Sequence, residues 1–433
     1  MKQLLTGVWM AAALCFSALA KEERFVAHEW GTFTSVQGAQ GVQWEWNPFV
    51  AAELPEFVYD RNRPNQEANR VKFNLFAAKT AFLARQRMET PVIYFYSPER
   101  KTVDVRVDFP SGLMTEWYPH ATSCDAQRLP EGSTKRKQSY LEWKGVEIIP
   151  SQDAAVKIPA ESGKSHYYAA RQTEAAPLQV KNENAGTVET EKFLFYRGVG
   201  HFEAPLNVTT DPEGTKLTLR NNGKEELRHL LVLQIQNGKG AKAITLREVD
   251  RLAPGSSAVA KLGENHPATR EELIALLKKN LESEGLYAAE AAAMVKTWED
   301  SWLDEPGVRT LYVLGKNWTD ETLPLKISPQ PSEVQRVMLG RAEVILPRFE
   351  MALEKLIHEY AKGDDLARGR AVAAARDLGL GRFTDAVVRQ LAKKNSSQQF
   401  NRAAWELMTK SAERQKDQPV AAVSPDARAL ATR

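Results

Sequence analysis

The alternation of side chains over residues 103–109 constrains the fold of this chain more than any other sequence feature. Every second residue from Val103 to Phe109 is apolar, the residues between them are polar, and Pro110 follows directly. Such a period of two is typical of a strand with one face in a core and the other in solvent. Residues 92–96 are continuously apolar and aromatic, which indicates a buried strand. We therefore predict a β-rich N-terminal domain over residues 21–204.

Residues 205–331 are divided by turn signals at short intervals. Four such signals stand between the apolar runs of residues 206–260: Asp211-Pro212-Glu213-Gly214, Asn221-Asn222-Gly223, Asn237-Gly238 and Pro254-Gly255. This spacing is typical of a small β-sandwich of the immunoglobulin-like type. A continuation of one larger β domain would produce the same pattern, so both interpretations stay open here.

A helical hairpin is predicted at about 269–303, inserted in the sandwich. Thr269 and Glu272 fit a capping box at the start of the first helix. The second helix is indicated by an apolar stripe that includes Met294, Trp298 and Trp302 at steps of three and four residues.

The C-terminal part changes character after residue 331. Residues 332–346 are ambiguous, with a strand favoured for 341–346, and Pro347 is suited to the first turn of a helix. We predict a helical region over 332–418, with short helices that can stack as in HEAT-type repeats, and a flexible tail over 419–433. The predicted fold class is therefore α+β and multidomain: a β-rich domain, an immunoglobulin-like β-sandwich and a helical C-terminal region.

The first twenty residues predict export. Lys2 precedes an apolar stretch over residues 4–14, and Ala18-Leu19-Ala20 fits a cleavage site before Lys21. The apolar stretch is shorter than the roughly 20 residues that span a bilayer, so we expect a signal peptide at 1–20 and no membrane span after its removal. The mature chain would be periplasmic or extracellular. Its single cysteine, Cys124, is expected to be an apolar space-filler rather than a reactive thiol.

Composition excludes one class of partner. The formal net charge is only +3, with 58 Lys and Arg against 55 Asp and Glu, so no electrostatic feature favours a nucleic acid. The hydrophobic content of 43% and charged content of 26% are those of a globular protein rather than a disordered chain.

Several phrases of the sequence resemble those of an uncharacterised group of exported bacterial proteins. These phrases are His28-Glu29-Trp30-Gly31-Thr32-Phe33-Thr34, Met88-Glu89-Thr90-Pro91-Val92-Ile93-Tyr94-Phe95-Tyr96, Phe193-Leu194-Phe195-Tyr196-Arg197-Gly198, Trp318-Thr319-Asp320 and Val337-Met338-Leu339-Gly340-Arg341. The resemblance covers most of residues 25–345. It implies export but no activity, cofactor or catalytic residue.

Aromatic residues are concentrated between residues 25 and 60. Trp30, Trp44 and Trp46 are candidates for stacking against a sugar or another planar ligand, and the spacing of two would place Trp44 and Trp46 on one side of a strand. The competing interpretation is that these rings fill the core of the first sheet.

Acid–base or metal chemistry would require histidines and carboxylates to converge. The candidates are His28 and Glu29 near the mature N-terminus, joined by His201 and Arg197 from the end of the first β region. They lack the spacing of a known metal motif, so their convergence depends on the fold. No cofactor is expected, and Zn would be the metal if they form a hydrolase site.

Two functions follow from these observations. The first is an exported binding or assembly protein of the cell envelope without intrinsic catalysis, whose partner is an envelope protein or a glycan. The alternative is an exported, metal-dependent hydrolase with its site near His28 and Glu29.

Overall fold

The computed structural model describes residues 24–48, 54–61, 83–125, 139–150, 156–160, 165–237 and 242–413. The predicted signal peptide and the predicted tail lie outside the described residues. Within them the protein is α+β, with a large β-rich part followed by C-terminal helices.

The described residues form nineteen strands, which range from two to twelve residues in length. In chain order they are β1 (Val26–Gln37), β2 (Tyr59–Asp60), β3 (Gln86–Tyr96), β4 (Lys101–Phe109), β5 (Gly112–Tyr118), β6 (Ser123–Cys124), β7 (Ser139–Ile148), β8 (Leu178–Asn182), β9 (Thr187–Glu191), β10 (Leu194–Gly200), β11 (Leu206–Thr210), β12 (Lys216–Asn221), β13 (Leu227–Asn237), β14 (Lys242–Leu252), β15 (Ser257–Lys261), β16 (His266–Ala268), β17 (Gly307–Val313), β18 (Leu325–Ser328) and β19 (Glu333–Val344).

Ten of these strands form one sheet, in the order β16-β14-β13-β17-β19-β1-β3-β10-β5-β2. The central pair, β1 and β19, is parallel, whereas the strands on both sides of it pair antiparallel. Every residue of β1 is buried, so both faces of the sheet are covered at its centre.

Two smaller sheets pack against the large one. A three-stranded sheet has the order β11-β12-β15, and a six-stranded sheet has the order β18-β4-β7-β8-β9 with β6 paired to β7. Buried side chains of all three sheets, such as Leu217, Leu233 and Trp143, belong to one continuous hydrophobic core.

The large sheet corrects the predicted domain boundaries. β13, β14 and β17 come from the predicted sandwich, yet they continue the sheet that contains β1, β3 and β10 of the predicted N-terminal domain. The boundary at residues 204 and 205 therefore does not separate two sheets. The strand favoured for 341–346 is present as β19, but it begins at Glu333, inside the region predicted to be helical. Turn spacing indicates where strands end, but it carries no information about which distant strand completes the sheet.

The predicted helical hairpin is confirmed as α1 (Arg270–Ser283) and α2 (Ala288–Leu303). Its capping box is complete: the Glu272 amide donates to Thr269 Oγ1 at 3.1 Å, and the Thr269 amide donates to Glu272 Oε2 at 2.8 Å. Met294 and Trp302 of the apolar stripe are buried. A short helix, α3 (Lys316–Thr322), follows β17.

Four helices form a C-terminal bundle: α4 (Pro347–Lys362), α5 (Asp365–Asp377), α6 (Thr384–Lys394) and α7 (Gln398–Glu413). The bundle has its own hydrophobic core, to which Val36, Trp46 and Ile345 contribute from the side of the large sheet. These residues place the bundle against the sheet, at the end of β1 and β19. No helix of the described residues is long and apolar enough to cross a membrane.

Candidate functional site

The three predicted stacking residues lie inside the protein. Trp30 and Trp46 are fully buried, and Trp44 is 8% exposed. The Trp30 ring lies 6.2 Å from that of Tyr94, and the Trp46 ring lies 5.4 Å from that of Phe383 in the bundle. Trp44 and Trp46 lie in the segment after β1 rather than in a strand, and both rings belong to the bundle core. The structure therefore supports the core interpretation over a surface for planar ligands.

His28 is engaged with the helical hairpin. Its Nδ1 lies 2.8 Å from Oε2 of Glu290 in α2, and both side chains are buried. Oε1 of Glu290 accepts a hydrogen bond of 2.9 Å from the Tyr96 hydroxyl, and its Oε2 also caps α2 through the Tyr287 amide. His28 thus joins β1 to the N-terminus of α2.

Glu29 points to the other face of β1 and has different partners. Its Oε2 accepts a hydrogen bond of 2.6 Å from Nε of Arg336, and its Oε1 accepts one from the Tyr196 hydroxyl. Burial, together with the Glu29 carboxylate, raises the pKa of Tyr196 well above its ordinary value. Arg336 in turn donates to Asp320 at 2.8 Å. This buried network joins β1, β10 and β19.

The four predicted acid–base residues do not converge. His28 lies opposite Tyr94, whereas Gly200, next to His201, lies opposite Gln86 and hence level with Ser35 of β1. Ser35 lies seven residues after His28 in β1. At a rise of about 3.3 Å per residue, the two positions are about 23 Å apart along the strand. Arg197 follows Tyr196 directly, so its side chain lies on the face opposite to Glu29. The predicted joint site is therefore not formed, because the residues occupy different faces and ends of the sheet.

Within the ranges that the structure describes, no group of three or more His, Cys, Asp and Glu side chains could hold a metal ion. Cys124 is half-buried in β6 and packs against the main core, as expected for a space-filler.

The phrases that carry the resemblance come together at the centre of the large sheet. Four of the five phrases occupy β1, β3, β10 and β19, which are adjacent strands, and Trp318-Thr319-Asp320 lies in α3. The pairing of three of them is irregular at one level: between Trp30 and Thr32 in β1, and between Phe195 and Gly198 in β10, both against residues 88–93 of β3. Thr90 at this level has a φ of +49°, which is unusual for a β-branched residue. Bulges and strained residues of this kind are concentrated at functional sites.

Beyond these irregularities, in the direction of the C-terminal end of β1, one face of the large sheet is polar. Thr32 lies opposite Glu89, and Thr34 lies opposite Arg87 in the next strand. Arg197 lies opposite Glu116 in β5. This face is covered by the bundle and by the end of α2 rather than by solvent.

Arginine and glutamate side chains lie on this face of the sheet and on the bundle and α2 residues that cover it. We call this set the arginine layer. Its members are Arg87, Arg197, Arg309, Arg341 and Arg382 together with Glu89, Glu116, Glu305 and Glu343. Arg382 Nη1 donates to Glu89 Oε1 at 2.7 Å, and Arg341 Nη2 lies 2.8 Å from both Glu305 and Glu343. Its five arginines and four glutamates leave one positive charge in excess.

Neighbouring arginines keep two carboxylates of the arginine layer, Glu89 and Glu116, ionised. Burial disfavours the ionised form of Glu89, but Arg382 and Arg87 outweigh burial and lower the pKa of Glu89. The pKa of Glu116 is lowered in the same way, with Arg87 and Arg197 outweighing its burial. Burial, helped by the neighbouring Arg87, lowers the pKa of Arg197 to about 10. Arg197 therefore remains a cation, although a destabilised one.

Several buried polar atoms of this face have no hydrogen-bond partner in the part of the chain that the structure describes. They are Nε and Nη1 of Arg197, Nε of Arg382, Oγ1 of Thr32 and Thr34, and Nε1 of Trp46. All six can donate a hydrogen bond. An unsatisfied buried donor costs about 1–3 kcal/mol, so each of these atoms can still gain from an acceptor. Guanidinium groups bind anions but do not exchange protons near neutral pH.

Most of the arginine layer was missed by the sequence prediction, which selected only Arg197. A usable signal exists in retrospect for two members, Arg197 and Arg341, because each is an ionisable residue within a mostly apolar strand of the resembling phrases. An ionisable residue flanked by buried apolar neighbours is either paired or functional.

Comparison with known proteins adds little. No protein-family model matches the sequence, and no curated protein matches it. Two solved structures of the yeast delta-COP-I mu-homology domain, one of them complexed with a Dsl1 WxWxV peptide, align with 74% of this chain and 98% of theirs. The sequence identity is 8% in both, and the TM-scores are 0.28 for the complex and 0.29 for the other structure. A likeness at this level carries no argument about fold or function.

Proposed function

We propose that the protein is an exported, non-enzymatic binding or assembly module of the cell envelope that recognises a negatively charged group. The observation that carries the proposal is the arginine layer, in which buried arginines outnumber buried glutamates and Arg197 has donors without a partner. Glu89 and Glu116 act on Arg197 electrostatically, but within the described residues neither accepts a hydrogen bond from it, so its remaining donors suit an anion that arrives from outside.

Recognition fits this layer better than proton transfer. Its basic groups are arginines, and even the lowered pKa of Arg197 lies far above the pH of the cell envelope. His28 and Glu29 lie elsewhere, and each holds strands and helices together through buried hydrogen bonds. Such interactions support a scaffold.

The surrounding fold supports a role in assembly. β11, β12 and β15 form one sheet, and they share a core with β14-β13-β17-β19 of the large sheet. We take these seven strands to be an immunoglobulin-like sandwich, since that division into two sheets is typical of the class. Stacked helices beside it offer an extended surface to an envelope protein or a glycan.

The test uses the mature chain, starting at Lys21, as bait for cross-linking in envelope extracts and as a probe on a glycan array. The wild type is compared with Arg197→Met and with the control Arg251→Gln, whose side chain is 64% exposed. We expect one defined protein or acidic glycan to be retained by the wild type and the control and lost with Arg197→Met. Retention that is equal for all three chains would contradict the proposal.

A second candidate, an exported hydrolase, is favoured by one observation. His28 and Glu290 form a buried imidazole–carboxylate pair at 2.8 Å, and such a pair can orient a general base. Turnover of an ester, glycoside or phosphate substrate by the wild type, abolished in His28→Gln, together with Zn found by elemental analysis, would favour this function over binding.

A further inference from the structure

We propose that Arg197 and Arg382 bind the carboxylate group of a ligand at the junction of the large sheet and the C-terminal bundle. This inference rests on the proposed function and specifies its ligand. The chemistry is that of a planar carboxylate received by the planar fork of a guanidinium group, which allows two parallel hydrogen bonds.

Arg197 is the centre of the proposed site. The residue is 5% exposed, and no Asp or Glu of the described residues forms an ion pair with it. Its one hydrogen bond there is a long one of 3.4 Å, from Nη2 to Thr90 Oγ1, which leaves Nε and Nη1 open. Arg197 therefore retains the donors that a carboxylate requires.

Arg382 lies close enough to Arg197 to act with it. Both arginines act electrostatically on Glu89, and Arg382 contributes to the lowered pKa of Arg197. The two guanidinium groups therefore share one region of the arginine layer. A planar carboxylate matches the fork of a guanidinium group, whereas sulfate and phosphate are tetrahedral.

Further donors lie on the same face. Thr32 and Thr34 are each at most 1% exposed, and their hydroxyls have no partner in the described part of the chain. Thr32 lies opposite Glu89 in β3, and Arg197 lies in β10, on the far side of β3. β1 and β10 are two strand spacings apart, which is about 10 Å. An arginine side chain and a small ligand together can span this distance. Thr90, with its positive φ, lies in the strand between β1 and β10.

The site reaches the surface at its rim. The side chain of Arg382 is 11% exposed and that of Glu116 is 15% exposed, in contrast to the 3% of Arg87. A ligand would therefore enter beside Arg382, along the edge of the bundle, and its carboxylate would bind below.

The experiment measures thermal unfolding and calorimetric binding of the mature chain with sodium acetate, against sodium chloride at equal ionic strength. The chains are the wild type, Arg197→Met and the exposed control Arg251→Gln. We expect acetate to raise Tm in a saturable way for the wild type and the control, but not for Arg197→Met. Without acetate, Arg197→Met should fold, because Met replaces a buried cation that forms no ion pair with an Asp or Glu of the described residues.

Arg197→Lys keeps the positive charge but lacks the planar guanidinium group. This variant replaces Arg197→Met in the experiment if Arg197→Met does not fold. We expect it to bind acetate at least tenfold more weakly than the wild type. Equal affinity of the Lys variant, no response of the wild type, or an equal response of Arg197→Met would overturn the inference. A sulfate response that exceeds the acetate response would overturn the assignment of a carboxylate.

Two larger probes then distinguish the sources of the carboxylate. Glucuronate represents an acidic sugar, and N-acetylalanine represents a peptide C-terminus; the tighter binder identifies the source. The experiments also separate a failure of this inference from a failure of the proposed function. If acetate does not bind but capture of an envelope partner still depends on Arg197, this inference fails and the proposed function stands.

Discussion

Arg382, in the turn before α6, donates from Nη1 to Oε1 of Glu89 in β3 at 2.7 Å, although the two residues are 293 positions apart in the sequence. Both side chains are largely buried, at 11% and 5% exposure. The ion pair therefore fastens the helical bundle to the centre of the large sheet.

Removing Arg382 should destabilise the protein strongly. Arg382→Gln leaves the Glu89 carboxylate buried with less compensation, and the free energy of unfolding should fall by about 3 kcal/mol. Arg251→Gln, on an exposed ion pair, should change it by less than about 0.5 kcal/mol. Urea unfolding followed by circular dichroism measures both. Equal effects of the two substitutions would contradict the role of this pair.

Acid should weaken the arginine layer through Glu305. Its burial raises the pKa, but Arg341, Arg382 and Arg309 outweigh burial and lower the pKa from 4.5 to about 2. A carboxylate with a lowered folded pKa stabilises the protein fully above the unfolded value, and this stabilisation is lost as the pH falls toward 2. The side chain is 39% exposed, so solvent reduces the effect. Between pH 5 and pH 3 (roughly the window of the shift) the urea midpoint of the wild type should fall more steeply than that of Glu305→Gln. Parallel pH profiles would contradict this.

Trp46 should behave as a core residue. Trp46→Ala removes a fully buried ring between the sheet and Phe383, and it should cost about 3–5 kcal/mol of unfolding free energy. Met351→Ala, at a site that is 61% exposed, should cost less than about 0.5 kcal/mol. Denaturant unfolding compares the two. A small effect at Trp46 would restore the interpretation of this ring as a ligand-binding surface.

Gly198 is expected to be required by the irregular pairing next to Arg197. A Cβ at this position would lie 2.7 Å from the Leu113 carbonyl oxygen and 2.8 Å from Met88 Cε. Gly198→Ala should therefore cost about 1–3 kcal/mol, since a backbone atom cannot give way. At Gly263 a Cβ meets nothing within 4 Å, and Gly263→Ala is the matched control. Thermal unfolding measures both variants, and equal Tm values would contradict the requirement for glycine at position 198.

The sequence predicts local features well and long-range ones poorly. The alternation over 103–109 corresponds to β4, whose buried residues are the apolar ones, and the capping box at Thr269 is complete. Both depend on neighbouring residues alone. Arg87 and Glu89 also occupy alternate positions of a strand, which would indicate a face in solvent. The bundle covers that face, but the sequence contains no local trace of a contact made 293 residues later.

The parallel pairing of β1 and β19 has a consequence for the order of folding. The paired residues Glu29 and Arg336 are 307 positions apart, so β1 emerges from synthesis long before the strand that closes its second edge. Until then the backbone amides and carbonyls of that edge remain available to other chains, and contacts of such high sequence separation form slowly. A nascent chain of this protein therefore depends on a chaperone or on rapid completion to avoid aggregation. A truncation before Glu333 would keep the edge of β1 open permanently.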